Sequence, residues 1–236
     1  MATRRQSLRI LSYNIHGCVG SDGCEDADRV LEVIRSADAD VVALQEVYDD
    51  DVEDRSFLRG LERLNYASVI YGQTMRKNTG AYGNILMLRH ESSSVERINL
   101  SQSGAEPRGA IRAEFDYAGQ SIEVLATHLG LKSRERARQI DTLIQASECA
   151  SPGLRILMGD LNEWWPASRA LRKIAAKYSQ VSQVNTFPSK WPLLKLDRIY
   201  VDAPGASVRF SRMESQEARI ASVHLPLLAE MNLQAD

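Results

Sequence analysis

The sequence predicts an α/β or α+β layered domain. Short apolar runs of strand length alternate with segments whose apolar residues recur at helical spacing. Two of the strand-like runs are joined by a tight turn. Polar and ionisable residues stand repeatedly where the apolar runs end. At 236 residues the chain can bury a sizeable core as one domain over 1–236. It contains no internal repeat, low-complexity tract or linker that would divide it.

Leu8 to Ile15 alternates apolar and polar residues, as a half-buried strand does. Gly17 to Gly23 reads as loop. From Asp26 to Ala37, Val30, Ile34 and Ala37 share a helical stripe with Leu31 beside it. Val41 to Leu44 is wholly apolar and short, the pattern of a strand buried on both faces. Glu53 to Leu64 reads as a second helix and Ile85 to Leu88 as another buried strand. Ala110 to Phe115 and Ser121 to Ala126 form a hairpin about Tyr117 to Gln120, where Gly119 suits the turn. Ser133 to Cys149 is the longest helix, with Ile140, Leu143, Ile144 and Ser147 on one side. Leu154 to Met158 is a buried strand. Pro166 to Tyr178 is a helix that starts on proline. Leu196 to Val201 and Ser207 to Phe210 are late strands.

Hydrophobic residues make up 44% and charged residues 25%, an ordinary globular balance, so neither a disordered nor a membrane-embedded chain is expected. The formal net charge is -2, and a protein that grips duplex DNA through its phosphates carries a basic excess. Cys18, Cys24 and Cys149 cannot all pair with one another, which favours a reducing compartment and free thiols. The first residues lack the apolar run of a secretory signal, and no stretch reaches the roughly 20 apolar residues of a spanning helix. The expectation is a soluble cytoplasmic protein with no obligate protein partner.

The residues at the strand ends carry the chemistry. Glu46 leaves a buried strand and needs a cation or donors to compensate it, as a Mg²⁺ ligand would have; the bland alternative is a strand-end carboxylate in solvent. Asp160 and Asn162 follow Gly159 two residues apart, so in extended chain they point the same way. Together they can orient a water and donate to a phosphate oxygen, although Asp and Asn also build turns before helices. His128 closes a strand and can donate to a phosphate oxygen. His224 gains basicity if a carboxylate such as Asp197 orients its ring. Arg108 precedes a strand and suits a phosphate, and Asn84 places an amide just before the buried strand Ile85 to Leu88. Each taken singly has an ordinary structural explanation.

Their order is more specific than any one of them. Ser12-Tyr13-Asn14-Ile15, Gln45-Glu46-Val47, Gly83-Asn84-Ile85, Pro107-Arg108-Gly109-Ala110, Thr127-His128-Leu129, Gly159-Asp160-Leu161-Asn162, Leu196-Asp197-Arg198-Ile199 and His224-Leu225-Pro226 together resemble the endonuclease/exonuclease/phosphatase superfamily along almost the whole chain. The resemblance implies two mixed β-sheets packed face to face with helices on the outer faces, a four-layer α/β sandwich. It implies hydrolysis of a phosphate ester, most simply a phosphodiester, by in-line attack of water with Mg²⁺ or Mn²⁺. Glu46 is then the principal metal ligand, with Asn14 beside it. Asp160 activates the water and Asn162 holds phosphate and carboxylate. His128 and His224 donate to the phosphate, Asp197 orients His224, and Asn84 and Arg108 line the substrate end.

One position departs from the family pattern: Val223 stands where an Asp usually precedes the last His. Weaker metal binding, or a changed preference between Mg²⁺ and Mn²⁺, is the expectation, and a catalytically silent scaffold is a rival reading. His16 stands where some nuclease members carry an Asp. The substrate lies between phospholipid and nucleic acid, with a DNA endonuclease or exonuclease as the alternative within the class. Trp164, Trp165, Phe187 and Trp191 can serve as a lip for bases or for a membrane, although core packing is the expected fate of at least half of them.

Overall fold

The computed structural model of the protein describes residues 6–49, 56–77, 80–148 and 153–233. Cys149 and residues 53–55, both inside helices expected from the sequence, lie outside this set. Two six-stranded sheets face each other. The first holds β1 (Gln6–Asn14), β2 (Val41–Asp49), β3 (Ser68–Lys77), β4 (Gly80–Leu88), β11 (Ser207–Arg212) and β12 (Leu227–Leu233), in the order β11-β12-β1-β2-β4-β3. The second holds β5 (Ser92–Asn99), β6 (Gly109–Tyr117), β7 (Gln120–His128), β8 (Leu154–Asp160), β9 (Gln180–Val181) and β10 (Asp197–Asp202), in the order β5-β6-β7-β8-β10-β9. Both are mixed: β1 runs parallel to β2 and β7 parallel to β8, and the other pairs are antiparallel.

Strand alternation sorts the apolar residues into layers. Leu8, Ile10, Val41, Ala43, Leu86 and Leu88 of the first sheet meet Ile111, Phe115, Val124, Ile156 and Ile199 of the second in the central core. The intervening residues Leu11, Tyr13, Val42 and Leu44 face outward, under α1 (Ala27–Ala37), α2 (Ser56–Glu62) and α5 (Gln216–Ala221). Leu125, Leu157 and Tyr200 pack outward under α3 (Ser133–Glu148) and α4 (Arg169–Ala175). The result is the four-layer α/β sandwich that the resemblance implies.

Several local readings change. The segment Pro166 to Tyr178 holds a shorter helix: Ser168 N–H returns to Trp165 O in a turn, and α4 begins at Arg169. The loop from Gly17 opens within a short 3-10 turn, His16–Cys18, and Cys18 and Cys24 are free thiols. β3, β5, β12 and α5 carry no expectation from the sequence. β5 is the clearest case, because as an edge strand it leaves most of its residues in solvent and so lacks an apolar signature. The β6–β7 hairpin turns as expected, through Ala118 and Gly119, both at positive φ.

Candidate active site

Strand register assembles the site. His128, Asp160 and Asp197 are direct register partners across β7, β8 and β10, so three ionisable side chains form one row at one sheet edge. At the matching edge of the other sheet, Asn14 ends β1 opposite Gln45 of β2. The pairing of β2 with β4 then slips: Leu44 faces Ile85 and Val47 faces Gly83, so Gln45 and Glu46 share Asn84 as their opposite number. At this bulge Glu46 adopts φ 57, a left-handed conformation that costs a non-glycine residue about 1 kcal/mol and re-aims its side chain.

Glycine permits the Gly159-Asp160 turn. Gly159 has φ +141, and a Cβ there would stand 1.8 Å from Thr127 O. Asp160 behind it is 1% exposed. Its Oδ1 accepts the Asn162 N–H at 2.8 Å, which the left-handed backbone of Asn162 (φ 51) makes possible. Its Oδ2 accepts from Asn14 Nδ2 at 2.9 Å. The same amide nitrogen donates to Glu46 Oε1 at 2.8 Å, and Asn14 Oδ1 accepts from His16 N–H. Asn14 therefore lies beside Glu46, with its nitrogen between the two carboxylates.

Two histidines face Asp160: Nε2 of His128 lies 3.7 Å and Nε2 of His224 lies 3.8 Å from its Oδ2. They are in different states. Arg108 Nη1 lies 3.1 Å from His128 Nδ1 and Asn162 Nδ2 lies 3.0 Å from its Nε2; both can only donate, and the single proton of the neutral ring lets it accept from one of them. Burial, against the pull of Asp160 and with a smaller push from Arg108, brings the His128 pKa down to about 3. The ring is neutral. For His224, burial opposes the charge, but Asp197, with help from Asp160 and Glu46, pushes the pKa up to about 9. Its Nδ1 donates to Asp197 Oδ2 at 2.9 Å, and Thr186 Oγ1 donates to the same oxygen. Phe187 packs on the ring at 4.8 Å. Ser222 Oγ donates to Asn14 O and accepts the His224 N–H, fastening the His224 loop to β1.

Asn162 Nδ2 donates to Leu129 O and lies 3.0 Å from His128 Nε2. Arg108 is buried and paired with Glu106 at 2.9 Å, and it hydrogen-bonds the Tyr82 hydroxyl. Asn84 Nδ2 reaches Gly109 O at 3.3 Å. All nine residues singled out from the sequence thus lie at or beside one site. The sequence reading missed Thr186 and Tyr82, which carry no motif, and Ser222, whose signal is its place two residues before His224; Phe187, expected as part of an aromatic lip, packs instead on His224. His16 turns its Nδ1 to Val19 O, and Val223 is half-buried, its carbonyl accepting from Ser189 N–H.

Two groups of ligand-type side chains have their atoms within 4.8 Å of one another: Glu46, His128 and Asp160, and Asp160, Asp197 and His224. The second is satisfied internally, since His224 carries a proton toward Asp197. The first brings two carboxylates together with one shared amide and a neutral imidazole whose Nδ1 is taken by Arg108. Carboxylate oxygens of this kind fit a hard divalent cation. Around the site, Trp164, Trp165 and Trp191 are exposed and only Phe187 is partly buried, so core packing claims fewer of these aromatics than expected. No helix among the described residues is long and apolar enough to cross a membrane.

The family model for the Endonuclease/Exonuclease/phosphatase family matches residues 11–218. The uncharacterized protein YbhP of Escherichia coli (strain K12) is 28% identical over 98% of both chains. The endonuclease/exonuclease/phosphatase of Beutenbergia cavernae superposes with a TM-score of 0.79 at 24% identity, over 98% of this chain and 72% of that one. Zebrafish (Danio rerio) TDP2 in complex with a single-strand DNA product gives 0.73 at 20% identity, over 96% and 99%. Endonucleases, exonucleases and phosphatases all hydrolyse phosphate esters, which sets the reaction class. By its matched residues and its paired mixed sheets, the chain belongs to the endonuclease/exonuclease/phosphatase family.

Proposed function

We propose that the protein hydrolyses a phosphodiester by in-line attack of water, using Mg²⁺ or Mn²⁺ held chiefly by Glu46. The observation that supports this best is the surroundings of Asp160 Oδ2. The Nε2 atoms of His128 and His224 stand 3.7 and 3.8 Å away, too far for direct hydrogen bonds and suited to an oxygen held between them. Asp160 orients the attacking water, fixed by Asn14 and by the Asn162 N–H. Neutral His128 places Nε2 beside a non-bridging phosphate oxygen and donates to it when Nδ1 accepts from Arg108. Charged His224, oriented by Asp197 and Thr186, binds the negative charge that develops. Asn162 donates to the phosphate, and Asn84 with Arg108 bounds the substrate end. A bound divalent cation supplies neutralisation of a phosphate oxygen and assists departure of the leaving oxygen.

Cleavage of a nucleic-acid diester is the second reading, favoured by the single-strand DNA product in the TDP2 relative and by exposed tryptophans beside the site. The test is hydrolysis of bis(p-nitrophenyl) phosphate with Mg²⁺, with Mn²⁺ and with EDTA, using Asp160→Ala as control. Metal-dependent turnover lost in EDTA and in the variant is expected. No turnover, together with no Mn²⁺ binding by calorimetry, would replace this reading with a silent scaffold.

A further inference from the structure

Among the described residues, seven large apolar side chains are exposed, and five of them sit on three loops that leave the site. Leu131, 74% exposed, follows His128 by three residues. Trp164 and Trp165, more than half exposed, follow Asn162 directly after Glu163 and pack edge to face. Trp191 and Leu193, 77% and 74% exposed, form the tip of the loop whose base, Phe187, lies on His224. Solvent-facing tryptophan and leucine at such levels are unfavourable unless something covers them.

The tips are held rigidly. Arg136 and Glu163, both nearly fully buried, form an ion pair at 3.0 Å that the chemistry of the site does not use. Arg136 Nη1 donates to Leu131 O at 2.6 Å, and Glu163 accepts the Trp165 N–H at 3.1 Å and the Ser168 hydroxyl at 2.9 Å. One buried pair therefore ties the first loop to the second. The third is closed by the Leu193 and Leu194 N–H groups on Phe187 O and joined to the second through Leu161 N–H on Leu196 O.

The exposed charged side chains carried by these loops have one sign. Residues 129–134, 161–169 and 186–196 contain Lys132, Arg134, Arg169, Lys190 and Lys195, and their only acid is the buried Glu163. The chain as a whole is at -2, so this rim is a local basic field on a weakly acidic protein. Tryptophan and leucine tips flanked by lysine and arginine match the chemistry of an anionic bilayer surface: indoles at the headgroup level, leucines in the hydrocarbon, cations against the phosphates. Leu131 and Leu193 have no π-face on which a base could stack, which separates this rim from a single-strand platform.

We propose that the three tips dock the site onto an anionic phospholipid surface, so that a lipid phosphodiester is the ester presented to Asp160. The second clause rests on the phosphodiesterase reading above; the docking does not.

All three tryptophans of the chain lie on this rim, so intrinsic fluorescence reports on it alone. The full chain is mixed with vesicles of phosphatidylcholine containing phosphatidylglycerol, with pure phosphatidylcholine vesicles, and with oligo(dT). The expected result is a blue shift and co-sedimentation with the anionic vesicles, falling as salt is raised. The variant with Trp191→Ser and Leu193→Ser should bind them about tenfold or more weakly, since two exposed apolar anchors are lost. Its turnover of soluble bis(p-nitrophenyl) phosphate should equal that of the unaltered chain. No binding to the anionic vesicles, equal binding by the variant, or binding to oligo(dT) alone would overturn the proposal. Turnover of the soluble diester without vesicle binding would refute the docking and leave the hydrolase reading intact. Vesicle binding without turnover would support the docking and count against the hydrolase.

Discussion

Asp197 Oδ2 stands 2.9 Å from Nδ1 of His224, in a position with no exposure to solvent. The pair makes one histidine of the site cationic while its neighbour across Asp160 stays neutral. Two imidazoles beside one carboxylate thus supply one charged and one neutral ring, and the strand register that sets Asp197 and His128 on either side of Asp160 underlies that difference.

Opposite shifts predict a two-sided pH dependence of stability in the metal-free protein. His224 is raised from 6.5 to about 9, so its contribution is complete below 6.5 and is lost as pH rises toward 9. His128 is lowered from 6.5 to about 3, so its contribution is complete above 6.5 and is lost as pH falls toward 3. The alkaline limb is worth on the order of 3 kcal/mol and the acid limb on the order of 5 kcal/mol. Urea unfolding in EDTA across this range should peak near 6.5. His224→Gln should flatten the alkaline limb and His128→Gln the acid limb. Saturating Mg²⁺ should also flatten the alkaline limb, because Asp160 and Glu46 help to raise His224. An alkaline limb that survives His224→Gln would mean the pair is not its source.

Asn14 predicts a response to metal that distinguishes a clamp from a ligand. Its nitrogen bridges Glu46 and Asp160, and its oxygen is occupied by the His16 N–H. In Asn14→Ala the two carboxylates lose their shared donor, which should lower stability in EDTA by about 2 kcal/mol. A cation would then replace the lost donor, so Mn²⁺ should raise the melting temperature more in the variant than in the unaltered chain. A smaller rise would show that the Asn14 oxygen binds metal.

Much of this site was legible because its residues stand where apolar runs stop, at strand ends for His128, Asp160 and Asp197 and at the bulge within β2 for Glu46. Glu46, His128, Asp160 and Asp197 all announce themselves that way, and their order carries the family resemblance. Other parts leave no local trace. The bulge at Glu46 is a property of pairing between β2 and β4, visible in neither strand alone. Thr186 acquires its role only because the chain folds back to bring its hydroxyl to Asp197, eleven residues on. β5 went unread because an exposed edge strand has no apolar face to betray it, and the exposure of Trp164 and Trp191 went against the usual fate of such residues.

Val223 predicts a gain of function. It stands between Ser222, whose hydroxyl donates to Asn14 O, and His224, and the resemblance to the family places an Asp here near the metal. Val223→Asp should lower the Mg²⁺ concentration for half-maximal diesterase activity by about tenfold, as one added carboxylate ligand would. Titration of Mg²⁺ and of Mn²⁺ in both proteins measures this. Identical metal dependence would sink the idea that Val223 weakens the metal site.

Gly159 predicts the sharpest loss of structure. Its φ of +141 disfavours any side chain, and a Cβ would overlap Thr127 O at 1.8 Å, a backbone atom that cannot swing aside. Thr127 precedes His128, and Gly159 precedes Asp160, so the clash would push apart the two strands whose register aligns His128 with Asp160. Gly159→Ala should cost more than about 4 kcal/mol and abolish turnover. Asp160→Asn, by contrast, keeps the backbone and should abolish turnover with a normal far-ultraviolet circular dichroism spectrum and cooperative melting. If Gly159→Ala instead folds with the melting temperature of the unaltered chain, the close approach of β7 and β8 at this point is wrong, and with it the geometry assigned to His128 and Asp160.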